Sequence, residues 1–253
     1  MTTALDKQTL TSLKGKRVLL TGGSTGVGRA LLIALAKEGA LLLTCGRNQE
    51  PLDDALELAG LPSSSGLTSD LCNQDDLGRL FLAVDERLGG LDIVICNAAV
   101  GARSIAEMEN EKWRYAVETN LVAYMACVRA AIDRMAEQQD GHILLVSSIS
   151  ADIPMEGESV YAATKAGVAG FALALRQELR DMGIAVSTVS PGSVGSDMQE
   201  CSIEHQRELI GREEMLLAED VADAVIWILT RPHRCDVFNV RIEPRRQPIP
   251  AKG

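Results

Sequence analysis

Tyr161 and Lys165 stand four residues apart in the run VYAATK, and Ser147 and Ser148 close the apolar stretch Ile143 to Val146 just upstream. On a helix that spacing puts both side chains on one face, with the ammonium close to the phenol. A free tyrosine titrates near roughly 10. A fixed positive charge beside it favours the phenolate and draws the pKa toward working pH. Ser148, thirteen residues before Tyr161, carries a hydroxyl suited to holding a substrate oxygen while Tyr161 exchanges a proton with it. Any helix can carry Tyr and Lys at this spacing, and serine pairs are common in loops, so the surrounding elements must decide.

Those elements alternate between short apolar runs and amphipathic ones. Ile143 to Val146 predicts a strand, followed by a Gly/Pro-containing loop and a helix from Val160 to Met182. Earlier, Arg17 to Thr21 predicts a strand that runs directly into Gly22, Gly23, Ser24, Thr25, Gly26, Val27 and Gly28, and then into the periodic run Ala30 to Lys37. Strand, glycine turn, helix is the layout of a phosphate cradle, in which helix N–H groups face a pyrophosphate. Glycines also serve ordinary tight turns, but this position favours a nucleotide.

Ala40 to Cys45 predicts the second strand. An acid at its end would bond the 2′-hydroxyl of NAD; this chain has Gly46 and then Arg47. Arg47 suits a 2′-phosphate, and so NADP, with a solvated loop arginine as the plain alternative.

A short helix over Pro51 to Ala59, a loop at 60 to 66 and a weak third strand ending near Asp70 come next. Asn73 to Leu88 predicts an amphipathic helix, and Leu91 to Cys96 a buried strand followed by the small residues Asn97, Ala98 and Ala99. Small residues let a flat ligand pass close by, or simply make a tight turn. Trp113 to Ala136 predicts one long helix containing Asn120, a residue type that usually faces water there. The strand Ile184 to Ser190 is closed by Pro191 and Gly192. Residues 193 to 215 have no clear period, which fits either a lid or a surface excursion. A helix over Glu219 to Leu229, a strand over Val237 to Ile242 and an exposed tail EPRRQPIPAKG complete the chain. The pattern predicts a single α/β domain over residues 1 to 253, a doubly wound parallel sheet with helices on both faces.

Composition narrows the partners. A net charge of −10 argues against nucleic acid. No apolar stretch is long enough to span a bilayer, and the start MTTALDKQTL lacks a signal-peptide core, so a cytoplasmic protein is expected. Six cysteines and three scattered histidines show no metal spacing, and no metal is assigned.

In combination the motifs resemble the short-chain dehydrogenase/reductase family over roughly Leu13 to Gln247: TGGSTGVG at 21 to 28, Asp70, Asn97-Ala98-Ala99, Asn120, Ser148, YAATK at 161 to 165 and PGSVGS at 191 to 196, in order and at the family's spacing. The resemblance implies an NADP(H)-dependent oxidoreductase acting on a small carbonyl or secondary alcohol, assembled as a homodimer or homotetramer through the helices around Asn120 and Tyr161. Tyr161 is then the general acid/base, Lys165 lowers its pKa and holds the nicotinamide ribose, Ser148 positions the substrate, and Asn120 holds a water in the proton relay. Gly22 to Gly28 take the pyrophosphate, Arg47 with Ser24 or Thr25 the 2′-phosphate, and Asp70 and Leu71 the adenine. Asn97 to Ala99 pass under the adenine ribose, and the stretch from Pro191 through Gly192 and Val194 to Ser196 holds the carboxamide. Cys96, Ala99 and Ser196 depart from the family's Asn, Gly and Thr. The ending DVFNVRIEPRRQ departs too, and is similar to a subgroup with hydroxy-acid dehydrogenases and aldehyde reductases. A 3-oxoacyl-thioester reductase and a non-catalytic NADPH-binding regulator are the alternatives.

Overall fold

Apolar runs punctuated by glycine and polar residues form the strands of this computed structural model, which describes residues 10–199 and 201–247. In chain order the elements are β1 (Arg17–Thr21), α1 (Gly26–Lys37), β2 (Leu41–Gly46), α2 (Gln49–Leu58), β3 (Gly66–Thr68), α3 (Gln74–Leu88), β4 (Ile93–Cys96), α4 (Asn110–Val117), α5 (Ala123–Gln138), β5 (Gly141–Val146), α6 (Ser159–Leu179), β6 (Ile184–Pro191), α7 (Ile203–Gly211), α8 (Ala218–Leu229) and β7 (Asn239–Ile242). The expectation about a signal peptide falls on residues 1–9, outside the described ones.

The seven strands pair in parallel in the order β3-β2-β1-β4-β5-β6-β7. The chain winds outward from β1 to β3, returns to β4 beside β1, and winds outward the other way. Where the direction reverses, the carboxyl ends of β1 and β4 open a crevice. This is the doubly wound α/β sheet expected from the sequence.

Both faces of the sheet are covered. Leu19, Val94, Ile143 and Leu145 pack with Leu80 and Val84 of α3, Val128 of α5 and Val168 of α6. Their strand neighbours Val18, Leu20, Ile95 and Leu144 point the other way, onto Leu31 of α1, Leu52 of α2 and Val225 of α8. Burial on two sides explains why these strands read as unbroken apolar runs. Local signals set the helix ends. Asn73 accepts from the N–H groups of Asp75 and Asp76 to start α3, which stops at Gly89 with φ +68°.

Three expectations change. The single helix predicted over Trp113 to Ala136 is α4 and α5 joined by a π-helical turn, Glu118–Val122, that contains Asn120. The segment without a clear period holds α7, started by Ser202, whose hydroxyl accepts from His205 N–H. None of the residues of α7 is buried, so it carries no apolar stripe to read. The tail is not wholly exposed: Pro244 is buried, and Gln247 Oε1 accepts from Ser193 N–H at 2.9 Å, tying the chain to the loop after β6. Residues 248–253 lie outside the described ones. Among the described residues, no helix is long and apolar enough to cross a membrane.

Candidate active site

The turn between β1 and α1 is built around glycines that nothing larger can replace. Gly22 has φ +71°, and a Cβ there would lie 2.7 Å from Ala98 Cα. A Cβ on Gly28 would lie 1.8 Å from the Gly22 carbonyl oxygen. The first turn of α1 therefore presses against the loop and presents its N–H groups to the crevice. Asn97, at the end of β4, braces the turn by donating from Nδ2 to the carbonyls of Thr21 and Gly22 at 3.2 and 3.0 Å.

A cleft with about 230 Å³ of interior space runs along the carboxyl edge of the sheet. Gly22, Ser24, Thr25, Gly26, Val27, Gly28, Arg47, Asp70, Leu71, Asn97, Ala98, Ala99, Ser148, Tyr161, Lys165, Pro191, Gly192, Val194 and Ser196 all line it. Asn120 does not. It is fully buried, and its Oδ1 accepts from Val100 N–H at 2.8 Å while its Nδ2 donates to Val100 C=O at 2.9 Å. The side chain thus clamps the loop after β4 from within the π-helical turn Glu118–Val122.

At the other end of the site, β5 delivers Ser147 and Ser148 and α6 delivers Tyr161 and Lys165. Ser148 Oγ accepts from Ser150 N–H at 3.1 Å, which fixes the serine at the start of a short turn. Lys165 is 1 % exposed. Its ammonium donates to Val146 C=O at 2.8 Å and lies 5.7 Å from the Tyr161 ring centre and 5.4 Å from that of Tyr124. Tyr124, from α5, also donates to Val146 C=O, at 3.3 Å.

Burial dominates the electrostatics of this pair. Burial is the first influence on Tyr161 and pushes its phenol up to about 12, with a hydrogen bond to Ser148 pulling the other way. Burial also brings the Lys165 ammonium down to about 7. In both groups burial is the leading influence, and it favours the uncharged form of each.

The family model for short chain dehydrogenases matches residues 16–207, most of the chain. The chain belongs to the short-chain dehydrogenase family. Over 93% of its length this short-chain dehydrogenase is 29% identical to uncharacterized oxidoreductases of Staphylococcus epidermidis and Staphylococcus aureus, each matched over 100% of its own length. It also superposes on the crystal structure of a short-chain type dehydrogenase/reductase from Mycobacterium marinum, with a TM-score of 0.82 at 25% identity, covering 93% of this chain and 96% of that one. It is an oxidoreductase, of a family that works with nicotinamide dinucleotides on small molecules.

Several lining residues of this short-chain dehydrogenase carried no motif: Ser69, Thr119 and, from the loop after β6, Asp197 and Gln199. Ser69 had a positional signal, since it immediately precedes Asp70. Its hydroxyl is the one buried side-chain polar atom among the described residues without a hydrogen-bond partner, and it borders the cleft. Among the described residues no group of three or more His, Cys, Asp or Glu is arranged to hold a metal.

Proposed function

We propose that this oxidoreductase moves a hydride between NADP(H) and a carbonyl or secondary alcohol, with Tyr161 as general acid/base. The observation that carries the reading is one cleft with a glycine turn at a helix start on one side and Ser148, Tyr161 and Lys165 on the other. The residues fit a dinucleotide. Gly22 and Gly28 keep open a cradle that a Cβ would fill, and the Ser69 hydroxyl offers an unused donor at the adenosine end. Gly22 and Ser24 to Gly28 would hold the pyrophosphate, Asp70 and Leu71 the adenine, and Asn97 to Ala99 its ribose. Lys165 would hold the second ribose, and Pro191, Gly192, Val194 and Ser196 the carboxamide. Arg47 follows Gly46 where an acid would select NAD, which supports NADP.

When bound, the cofactor supplies or takes up the hydride. The chain's own part is proton transfer and placement. Ser148 holds the substrate oxygen beside the phenol. With its pKa raised by burial, Tyr161 keeps its proton at neutral pH, the state in which it can protonate that oxygen during reduction. Asn120, which would hold a water in the proton relay, also fixes through Val100 the loop that walls the cleft.

The reading includes a cytoplasmic single domain and a homo-oligomer. Exposed Val122 and Met125 beside and on α5, with Leu173 on α6, support assembly through that helical face. Initial rates of NADPH oxidation, beside NADH, over aldehydes, ketones, 3-oxo acids and oxoacyl thioesters test it. Turnover preferring NADPH is expected. A preference for NADH removes the role of Arg47, and NADPH binding without turnover on any of these classes removes the reductase reading.

A further inference from the structure

Arg47 is held in place. Its Nη1 donates to the Tyr115 hydroxyl at 3.0 Å, with the guanidinium carbon 5.9 Å from the ring centre. The Tyr115 hydroxyl in turn donates to Asp70 Oδ2 at 3.1 Å. The three residues come from three places in the fold: Arg47 follows β2, Asp70 follows β3, and Tyr115 lies on α4. Arg47 and Asp70 line the adenosine end of the cleft. The half-buried Tyr115 joins them without lining it.

The chemistry of this chain is directional. A phenol has one proton to give and lone pairs to receive with, so donating to a carboxylate while accepting from a guanidinium uses both capacities, and each bond polarises the other. The phenol also separates two opposite charges. Arg47 and Asp70 meet through a neutral hydroxyl instead of closing on each other as an ion pair, which leaves the guanidinium its charge for an incoming anion. Guanidinium carries five N–H donors, and the contact with Tyr115 uses one, so the fork can still take a phosphate. An arginine already held by a neighbour has less rotamer freedom to lose when it binds.

We propose that Tyr115 is a positioning residue for cofactor choice: it holds the Arg47 fork at the adenosine end so that a 2′-phosphorylated adenosine binds in preference to the plain one. This rests on the NADP reading above. Tyr115 touches no reacting atom, and its effect passes through Arg47.

The test is calorimetric binding of 2′,5′-ADP and 5′-AMP to the intact protein and to Tyr115→Phe, Arg47→Ala and the double variant. Losing one hydrogen bond to a charged side chain should weaken 2′,5′-ADP binding by about three- to tenfold in Tyr115→Phe. Binding of 5′-AMP should stay within about twofold, which also shows that the variant is folded. In the Arg47→Ala background Tyr115→Phe should have no further effect. Where turnover is measurable, KM for NADPH should rise in Tyr115→Phe with kcat unchanged. Equal weakening of both ligands, loss of both, no change, or tighter binding of both overturns the proposal; the last would make the bridge a bolt that adenosine must displace. If Arg47→Ala keeps the preference for 2′,5′-ADP, the NADP reading itself falls and takes the proposal with it. If Arg47→Ala abolishes the preference and Tyr115→Phe leaves it intact, only the role of Tyr115 falls.

Discussion

At the amino ends of β1, β4 and β5 the polar groups answer one another; at the carboxyl ends of the same strands they face a cleft. Arg17, the first residue of β1, gives its backbone N–H and Nε to Asp92 Oδ2 at 2.8 and 3.0 Å, and its Nη2 to Asp92 Oδ1 at 2.5 Å and Gln138 Oε1 at 2.7 Å. Its Nη1 donates to the Gly89 carbonyl at 2.9 Å, so the whole guanidinium is committed to structure. Four residues along the same strand, Thr21 leads into glycines packed tightly against Ala98 and the start of α1. Around that edge stand two serines, a buried lysine between two tyrosine rings, and the unpartnered Ser69 hydroxyl. At the first edge Arg17 spends its donors on holding the strands together, and at the other the polar groups face the cleft.

If the two edges divide the work in this way, substitutions at each should damage different things. The largest effect is expected at the glycine turn. Gly28→Ala forces a Cβ into the Gly22 carbonyl, and displacing the turn by about an ångström should cost roughly hundredfold in cofactor affinity. Fluorescence titration with NADPH measures it, and unchanged affinity would break the assignment of this edge to binding. At the opposite edge, Arg17→Ala leaves the Asp92 carboxylate, which the Arg17 guanidinium offsets against burial, without its partner. Chemical denaturation should show a loss of about 2 kcal/mol, with kcat for a reactive carbonyl little changed. A large kcat effect would show that the edges are coupled.

A further effect, confined to acid pH, is expected at His142. His142, on β5 near the amino edge, bonds Ser187 Oγ at 2.8 Å, and burial lowers its imidazole to about 4. Since Ser187 donates its own proton to Val237 C=O, Nε2 must carry the hydrogen. Below about 6.5 the unfolded chain binds a proton that the folded one refuses until about 4. Stability should therefore fall as pH drops through that window, and be complete above it with respect to this group. His142→Gln should flatten the slope of melting temperature against pH between those values; an unchanged slope would show that His142 is not its source.

What the sequence shows and what it hides follow from the same physics. Strands and the glycine turn are legible because burial on two faces demands apolar runs and the turn demands glycine, both local properties. YAATK is legible because Tyr161 and Lys165 are neighbours on one helix. Asn120 is legible as a motif residue by its type and place, but the π-helical turn that carries it and its bonds to the Val100 backbone have no local signature. Tyr115 and Tyr124 were silent for the same reason, since each matters through residues far away in the chain. For Tyr161, helical spacing reports the charge beside the phenol, whereas the solvent removed from it is visible only in the fold. Helix α7 is hidden in the sequence because a helix that buries nothing needs no apolar stripe.

The central claim is that the carboxyl edge holds a proton-transfer site and that Tyr161 is the group that moves the proton. The direct measurement is the turnover of Tyr161→Phe on the best carbonyl substrate, with NADPH affinity and melting temperature measured on the same sample. The account predicts a loss of roughly 10²- to 10⁴-fold in kcat, with affinity and melting temperature close to those of the parent. A variant that turns over at a near-normal rate would contradict it.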